Sequence, residues 1–172
     1  MARADLAVGV AAGSSGLVVL DLDDHGHPLP ERELLLPGID LGDAPEAERV
    51  RSGVDVLQLL CRVRRAESLL HTPTTLTVRT PSGGIHLWYR VPAGQRFTAR
   101  ASRLGWQVDV RAGWSTAVAP GTVTESGRYQ VVPPGTAPAL LPRWFTLELA
   151  RVGPAATARP SPALPAARLA RK

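Results

Sequence analysis

The sequence predicts an α+β domain with a mostly antiparallel sheet, and three observations carry that reading. An apolar run, Leu17 to Leu20, stands alone near the start of the chain. Pro45 to Leu70 then repeats apolar residues at helical spacing, and from Thr74 onward the apolar period drops to two. The order is strand, loop, helix and then several strands, the pattern of an α+β domain. A chain of 172 residues has room for one such domain with a proper core and is short for two.

Gly13-Ser-Ser-Gly16 reads as a turn into the first strand. Leu17 to Leu20 are apolar and mostly branched, as in a strand buried on both faces. Alternation sends Asp21 and Asp23 to one face and Leu22 to the other. Two carboxylates that close repel each other unless a cation lies between them, and a hard divalent ion is the natural partner. A strand-end Asp-x-Asp can equally cap the turn that Asp24-His-Gly-His-Pro28 resembles. His25 to Pro45 reads as a long loop with a short strand at Leu34-Leu-Leu36. Val50, Val54, Leu57, Leu60 and Cys61 make Pro45 to Leu70 one amphipathic helix. Pro45, Glu46 and Glu48 suit its first turn, and Gly53 is its weak point. Arg49, Arg51, Arg62, Arg64 and Arg65 read as its solvated face.

Thr75–Thr80 and Ile85–Val91 read as strands joined by a hairpin-like Pro81-Ser-Gly-Gly84. Further strands are expected at Trp106–Arg111, Thr116–Ala119 and Arg128–Val132. The expected domain spans residues 1–149. After it, residues 150–172 form an Ala/Pro/Arg-rich tail of the composition that stays disordered or serves as a linker.

Charge is divided unevenly. Residues 1–75 carry 7 basic and 12 acidic side chains, and residues 76–172 carry 13 basic and 3 acidic. Lys172 is the only lysine. An acidic half beside an arginine-rich half suits a phosphate-rich partner, although an arginine bias is also a coding habit. Cys61 is the single cysteine, which excludes disulfides within the chain and multi-cysteine zinc sites; its apolar neighbours suit a buried thiol. No apolar run approaches membrane-spanning length, and the N-terminus lacks a signal-peptide layout, so a cytoplasmic protein with no membrane partner is expected.

Two further segments bear chemistry. In Arg79-Thr-Pro-Ser-Gly-Gly-Ile-His86, the glycines let a phosphate approach backbone N–H groups and Ser82 adds a hydroxyl. Alternation puts His86, Trp88 and Arg90 on one strand face, and Ile85, Leu87 and Tyr89 on the other. His86 can donate to a phosphate oxygen or be a satisfied structural histidine. In Gly105-Trp-Gln-Val-Asp-Val-Arg111, Gln107, Asp109 and Arg111 are expected on one face. Asp is depleted from strands, so Asp109 needs a reason: a pairing with Arg111, or a metal site completed with Asp21 and Asp23.

Together these segments resemble the archaeo-eukaryotic primase superfamily. More narrowly they resemble the bifunctional primase–polymerase (prim-pol) domain of plasmid, phage and integrated-element replication proteins. The resemblance rests on Leu17-Val-Val-Leu-Asp-Leu-Asp23, Ser82-Gly-Gly-Ile-His86 and Val108-Asp-Val-Arg111, in that order. Ala117-Val-Ala-Pro-Gly-Thr122, Ser126-Gly-Arg-Tyr129 and Leu141-Pro-Arg-Trp144 extend it over roughly residues 6–149. It implies a primase-type core with a modified RRM-like sheet, here short of some N-terminal elements. It also implies a DNA primase/polymerase that joins nucleotides with two divalent cations, Mg²⁺ or Mn²⁺.

On this resemblance Asp21, Asp23 and Asp109 hold the metals, while Ser82, Gly83, Gly84 and His86 hold the triphosphate. Arg79 and Arg111 are assigned to phosphate or template by charge and location alone. The implied partners are a single-stranded DNA template, nucleoside triphosphates and a separate replicative helicase, since the chain has no Gly-x-x-x-x-Gly-Lys loop. Ala112-Gly-Trp-Ser115 departs from the Gly-Gly-aromatic run usual after the third motif. Two rivals stand beside this reading. A haloacid-dehalogenase-like phosphatase also opens on Asp-x-Asp, but its chemistry needs a lysine that this chain lacks outside its terminus. A non-catalytic, nucleic-acid-binding remnant of a prim-pol domain would keep the fold and the basic half.

Overall fold

The computed structural model describes residues 7–71, 74–98 and 100–153. The tail expected at 150–172 falls outside these residues from 154 onward.

Strand β2 (Leu17–Leu22) lies at the centre of a seven-stranded sheet. On one side it pairs antiparallel with β4 (Ile85–Arg90), on the other with β6 (Val108–Arg111). Beyond β4 come β3 (Leu76–Arg79) and β10 (Gln130–Val132); beyond β6 comes β5 (Arg100–Gly105). Every one of these pairings is antiparallel. The exception in the sheet is β11 (Ala139–Leu140), which runs parallel to β4 along Tyr89 and Arg90, past the point where β3 begins. The expected antiparallel α+β arrangement is present.

The two faces of the sheet differ in what covers them. Val18, Leu20 and Leu22 of β2 join Leu87, Tyr89, Val108 and Val110 in the main core. Helix α2 (Gly53–Val63) supplies Val56, Leu57 and Leu60 to that core, and helix α3 (Arg143–Val152) supplies Phe145 and Leu149. On the other face Val19, Val78, Trp88 and Ala117 form a smaller cluster flanked by Leu76, Tyr129 and Val131. A two-stranded ribbon of β1 (Gly9–Ala11) and β7 (Thr116–Val118) brings Ala117 there. A second ribbon joins β8 (Val123–Thr124) to β9 (Gly127–Arg128). Val18, Val19, Leu20 and Leu22 are wholly buried, and each such side chain contributes roughly 1.5–3 kcal/mol. Their sum is of the size needed to offset the several kcal/mol, roughly, that burying a paired carboxylate costs on the same strand.

The single helix expected over Pro45–Leu70 is instead a 3₁₀ turn, Pro45–Arg49, followed by α2. Ser52 is extended and caps α2 in a box with Asp55, whose carboxylate accepts the N–H groups of Arg51 and Ser52. Gly53 then meets another backbone: a Cβ there would lie 2.0 Å from the Gln107 carbonyl oxygen. Hydrogen bonds from Gly53 N–H to Asp23 O (2.8 Å) and from Asp23 N–H to Gln107 O (2.9 Å) seal the contact.

The expected strand at Leu34–Leu36 is a helical turn, α1 (Arg32–Leu35). It buries Leu35 and Leu36 and leaves Leu34 exposed. The expected strand Trp106–Arg111 begins only at Val108, because Trp106 and Gln107 form the turn out of β5. Arg128–Val132 is broken at Tyr129, whose N–H donates to Thr122 O. Two of the arginines read as solvated are paired: Arg62 with Glu46, and Arg64 with the buried Glu148 of α3, which Arg151 also holds.

Gly53→Ala should destabilise the fold by about 1–3 kcal/mol, the usual cost of overpacking a tight contact. Urea unfolding measures it, and an unchanged midpoint would show that the backbone approach at Gln107 is slack.

Candidate active site

Register brings the acidic residues together. Asp21 on β2 lies directly opposite His86 on β4 and directly opposite Asp109 on β6. Cross-strand partners share a face, so all three stand on the side away from the helices. Asp23 follows two residues on, just past the end of β2, held by the two backbone bonds to Gln107 and Gly53. Arg111, opposite Val19, shares that face and reaches back to the acids.

Asp21 is buried and both of its oxygens are used. Its Oδ1 lies 3.1 Å from His86 Nε2, and its Oδ2 accepts from Arg111 Nη2 at 2.9 Å and Nε at 3.2 Å. Arg111 Nη2 also stands 3.2 Å from Asp109 Oδ2, so the guanidinium bridges two carboxylates. Burial alone would raise the Asp21 carboxyl, but His86 and then Arg111 outweigh it and hold the group below the usual carboxylate range. Asp23 goes the other way. Burial, followed by the negative charge of Asp21, raises it, with Asp109 adding to the rise while His25 and Arg111 oppose it. His25 Nε2 lies 3.2 Å from Asp23 Oδ1. Burial would lower Arg111, yet the bond to Asp21 and the surrounding carboxylates raise it further.

His86 is only 4% exposed. Its ring sits 5.5 Å from that of Tyr129 and 6.3 Å from Trp88. Contact with a carboxylate requires a proton on Nε2, while Nδ1 is buried without a hydrogen-bond partner among the described residues. His86, expected at the triphosphate, is placed beside Tyr129 and bonded to Asp21.

The hairpin between β3 and β4 lies beside Asp23. A Cβ on Gly84 would stand 2.5 Å from Leu22 O and 3.4 Å from Asp23 Cα, so glycine is what allows this approach. Gly83 has φ of 95°, a glycine conformation, and is exposed along with Ser82, whose hydroxyl bonds that of Thr80 at 3.0 Å. Arg79 is not brought to the cluster. Its register partner is Ile85, which packs on the helix side, whereas Val78 pairs with His86.

Asp21, Asp23 and Asp109 are the residues that could hold a cation. The donor chemistry fits a hard divalent ion: oxygen ligands on adjacent strands, with repulsion left over on Asp23. Among the described residues no group of three or more His, Cys, Asp or Glu side chains is already arranged as a metal cage. Arg111 supplies the positive charge between Asp21 and Asp109. Gln107, His25 and Tyr129 also belong to this site, although sequence reasoning gave them no role. The one available signal was their position, flanking two of the acidic motifs and closing the Ser-Gly-Arg-Tyr segment.

A family model described as bifunctional DNA primase/polymerase, N-terminal, matches residues 2–144. No curated protein matches the chain.

Replacing Arg111 by Met should destabilise the protein by about 1–2 kcal/mol, allowing for its partial exposure. The loss should persist at high salt because Asp21 is buried. Urea titrations at low and high ionic strength decide this, and a loss that vanishes with salt would mark the bridge as a surface ion pair.

Proposed function

The chain belongs to the bifunctional DNA primase/polymerase N-terminal family, and from that premise we propose that it is a metal-dependent nucleotidyltransferase extending or starting strands on a DNA template. The observation that carries the proposal is the register of Asp21 with both His86 and Asp109, with Asp23 two residues on. Two carboxylates on one sheet face and a third just past the strand end, beside a glycine hairpin, are an arrangement suited to phosphoryl chemistry.

Asp21, Asp23 and Asp109 would hold the divalent cations, Mg²⁺ or Mn²⁺. When bound, such ions neutralise triphosphate charge and lower the pKa of the attacking hydroxyl. The protein's own part is positioning. His86 and Arg111 fix the two oxygens of Asp21, and Gly84 lets the hairpin lie against the end of β2. Gly83 N–H donates to Thr80 O and the Ser82 hydroxyl bonds that of Thr80, so this exposed turn is fixed by its own hydrogen bonds where a triphosphate would approach it. Were a cation to neutralise Asp21 and Asp109, the Arg111 guanidinium that bridges them would be free to meet a phosphate. Single-stranded DNA and nucleoside triphosphates are the substrates, a separate helicase opens the duplex, and the work is done in the cytoplasm during replication of a mobile element. No helix among the described residues is long and apolar enough to cross a membrane.

One observation favours a second reading, a DNA-binding relative without turnover. Asp21 is already satisfied on both oxygens by His86 and Arg111, so this carboxylate has partners within the protein itself.

Asp21→Asn and Asp109→Asn should each lower nucleotide incorporation on a single-stranded template by on the order of a hundredfold or more. DNA binding, followed by fluorescence anisotropy, should change little. Incorporation at wild-type rates by both variants would sink the mechanism, and a folded wild type that binds DNA without incorporating nucleotide would establish the second reading.

A further inference from the structure

Gln107 is the residue on which the two halves of the acidic cluster are tied together. It is 6% exposed and has φ of 55°, the left-handed region that a glutamine rarely occupies. Three segments meet on it. Its carbonyl oxygen accepts the N–H of Asp23 at 2.9 Å. Its side-chain Oε1 accepts the N–H of His25 at 2.8 Å, and its Nε2 reaches the carbonyl of Arg51 at 3.5 Å, next to the capping box of α2. Asp109 lies two residues further along the same backbone.

One residue therefore holds the loop bearing Asp23 and His25 at a set distance from the strand bearing Asp109. Without such a tie the loop has a reason to move, because Asp23 faces the like charges of Asp21 and Asp109 at the open end of β2. The backbone bonds of Asp23 to Gln107 and Gly53 leave residues 24 and 25 free to pivot about it; the amide side chain stops that pivot. A buried amide in a strained conformation is costly to maintain, and strain of this kind gathers where geometry is functional.

We propose that Gln107 is a positioning residue for divalent-cation binding, its side-chain amide holding the Asp23–His25 segment where Asp23 can share a cation with Asp21 and Asp109. The inference rests on the metal-dependent reading of the cluster. It goes beyond that reading by assigning the coupling between the second and third carboxylates to a neutral side chain that touches neither substrate nor metal.

The test is Mn²⁺ binding by the 172-residue chain without DNA or nucleotide, read from the loss of the free-ion signal in electron paramagnetic resonance. Wild type, Asp23→Asn, Gln107→Leu and Gln107→Gly are compared, with circular dichroism and thermal midpoint as controls for folding. Both Gln107 variants keep the backbone bond to Asp23. Gly is at ease at a φ of 55°, so Gln107→Gly retains the turn even where Leu strains it. The expected result is a Mn²⁺ dissociation constant raised roughly tenfold or more in folded Gln107 variants. The Mn²⁺ concentration for half-maximal incorporation should shift in parallel, while saturating Mn²⁺ recovers most of the rate. Wild-type affinity in folded Gln107→Gly would overturn the inference and leave the metal-dependent reading standing. Wild-type binding that is absent, or that Asp23→Asn leaves unchanged, would overturn both.

Discussion

Asp21 is a carboxylate on the central strand of the sheet, with 8% of its surface exposed, flanked on both sides by neighbouring strands. A lone charge in that position would protonate or unfold the strand. It stays ionised because His86 arrives from one neighbour and Arg111 from the other, one on each oxygen. Both partners depend on register: a slip of one residue in either pairing would turn His86 or Asp109 toward the helices and put an apolar side chain in its place. The packing of Val18, Leu20 and Leu22 against α2 and α3 thus does more than hold a core. It sets the alternation that faces the acids the other way.

From that constraint the rest of the site follows. The helices occupy one side of the sheet, and the β1–β7 ribbon covers the other near Val19 and Trp88. The end of β2 that carries Asp21 borders that apolar cluster through His86, which sits against Trp88 and Tyr129, and runs on beside the Gly83–Gly84 hairpin. α2 contributes through its first residue: Gly53 docks on Gln107 and bonds Asp23, so the helix start, the turn into β6 and the end of β2 share one contact. Opposite shifts in Asp21 and Asp23 express the same geometry. The first carboxylate has His86 and Arg111 on its oxygens, and the second is raised by burial and then by its neighbours' charge.

Much of this was legible in the chain. Strict alternation in Leu17–Asp23 and Ile85–Arg90 put Asp21 and His86 on the faces turned from the main core, and the structure keeps them there, with Asp23 just past the end of β2. What alternation could not supply was pairing. Nothing local says that β6 rather than β3 lies beside β2, and Arg79, assigned by charge, falls on the helix side because its partner is Ile85. The break of the expected long helix was written in Ser52-Gly-Val-Asp55, a capping box, but the helical period across it hid the signal. β5 was missed because Arg100-Ala-Ser-Arg-Leu-Gly105 shows no apolar alternation. Gln107 was read as a strand residue facing Asp109's way, because a left-handed turn at a glutamine has no sequence marker.

The central claim is that the three carboxylates share a divalent cation, with Arg111 giving way to it. Anomalous scattering at the manganese edge, from crystals soaked with Mn²⁺ and a non-hydrolysable nucleoside triphosphate, tests this most directly. The account predicts an anomalous peak bounded by Asp21, Asp23 and Asp109, with the Arg111 guanidinium displaced from Asp21 toward phosphate. Bound nucleotide with no peak at the carboxylates, and with Arg111 still bridging Asp21 and Asp109, would contradict it.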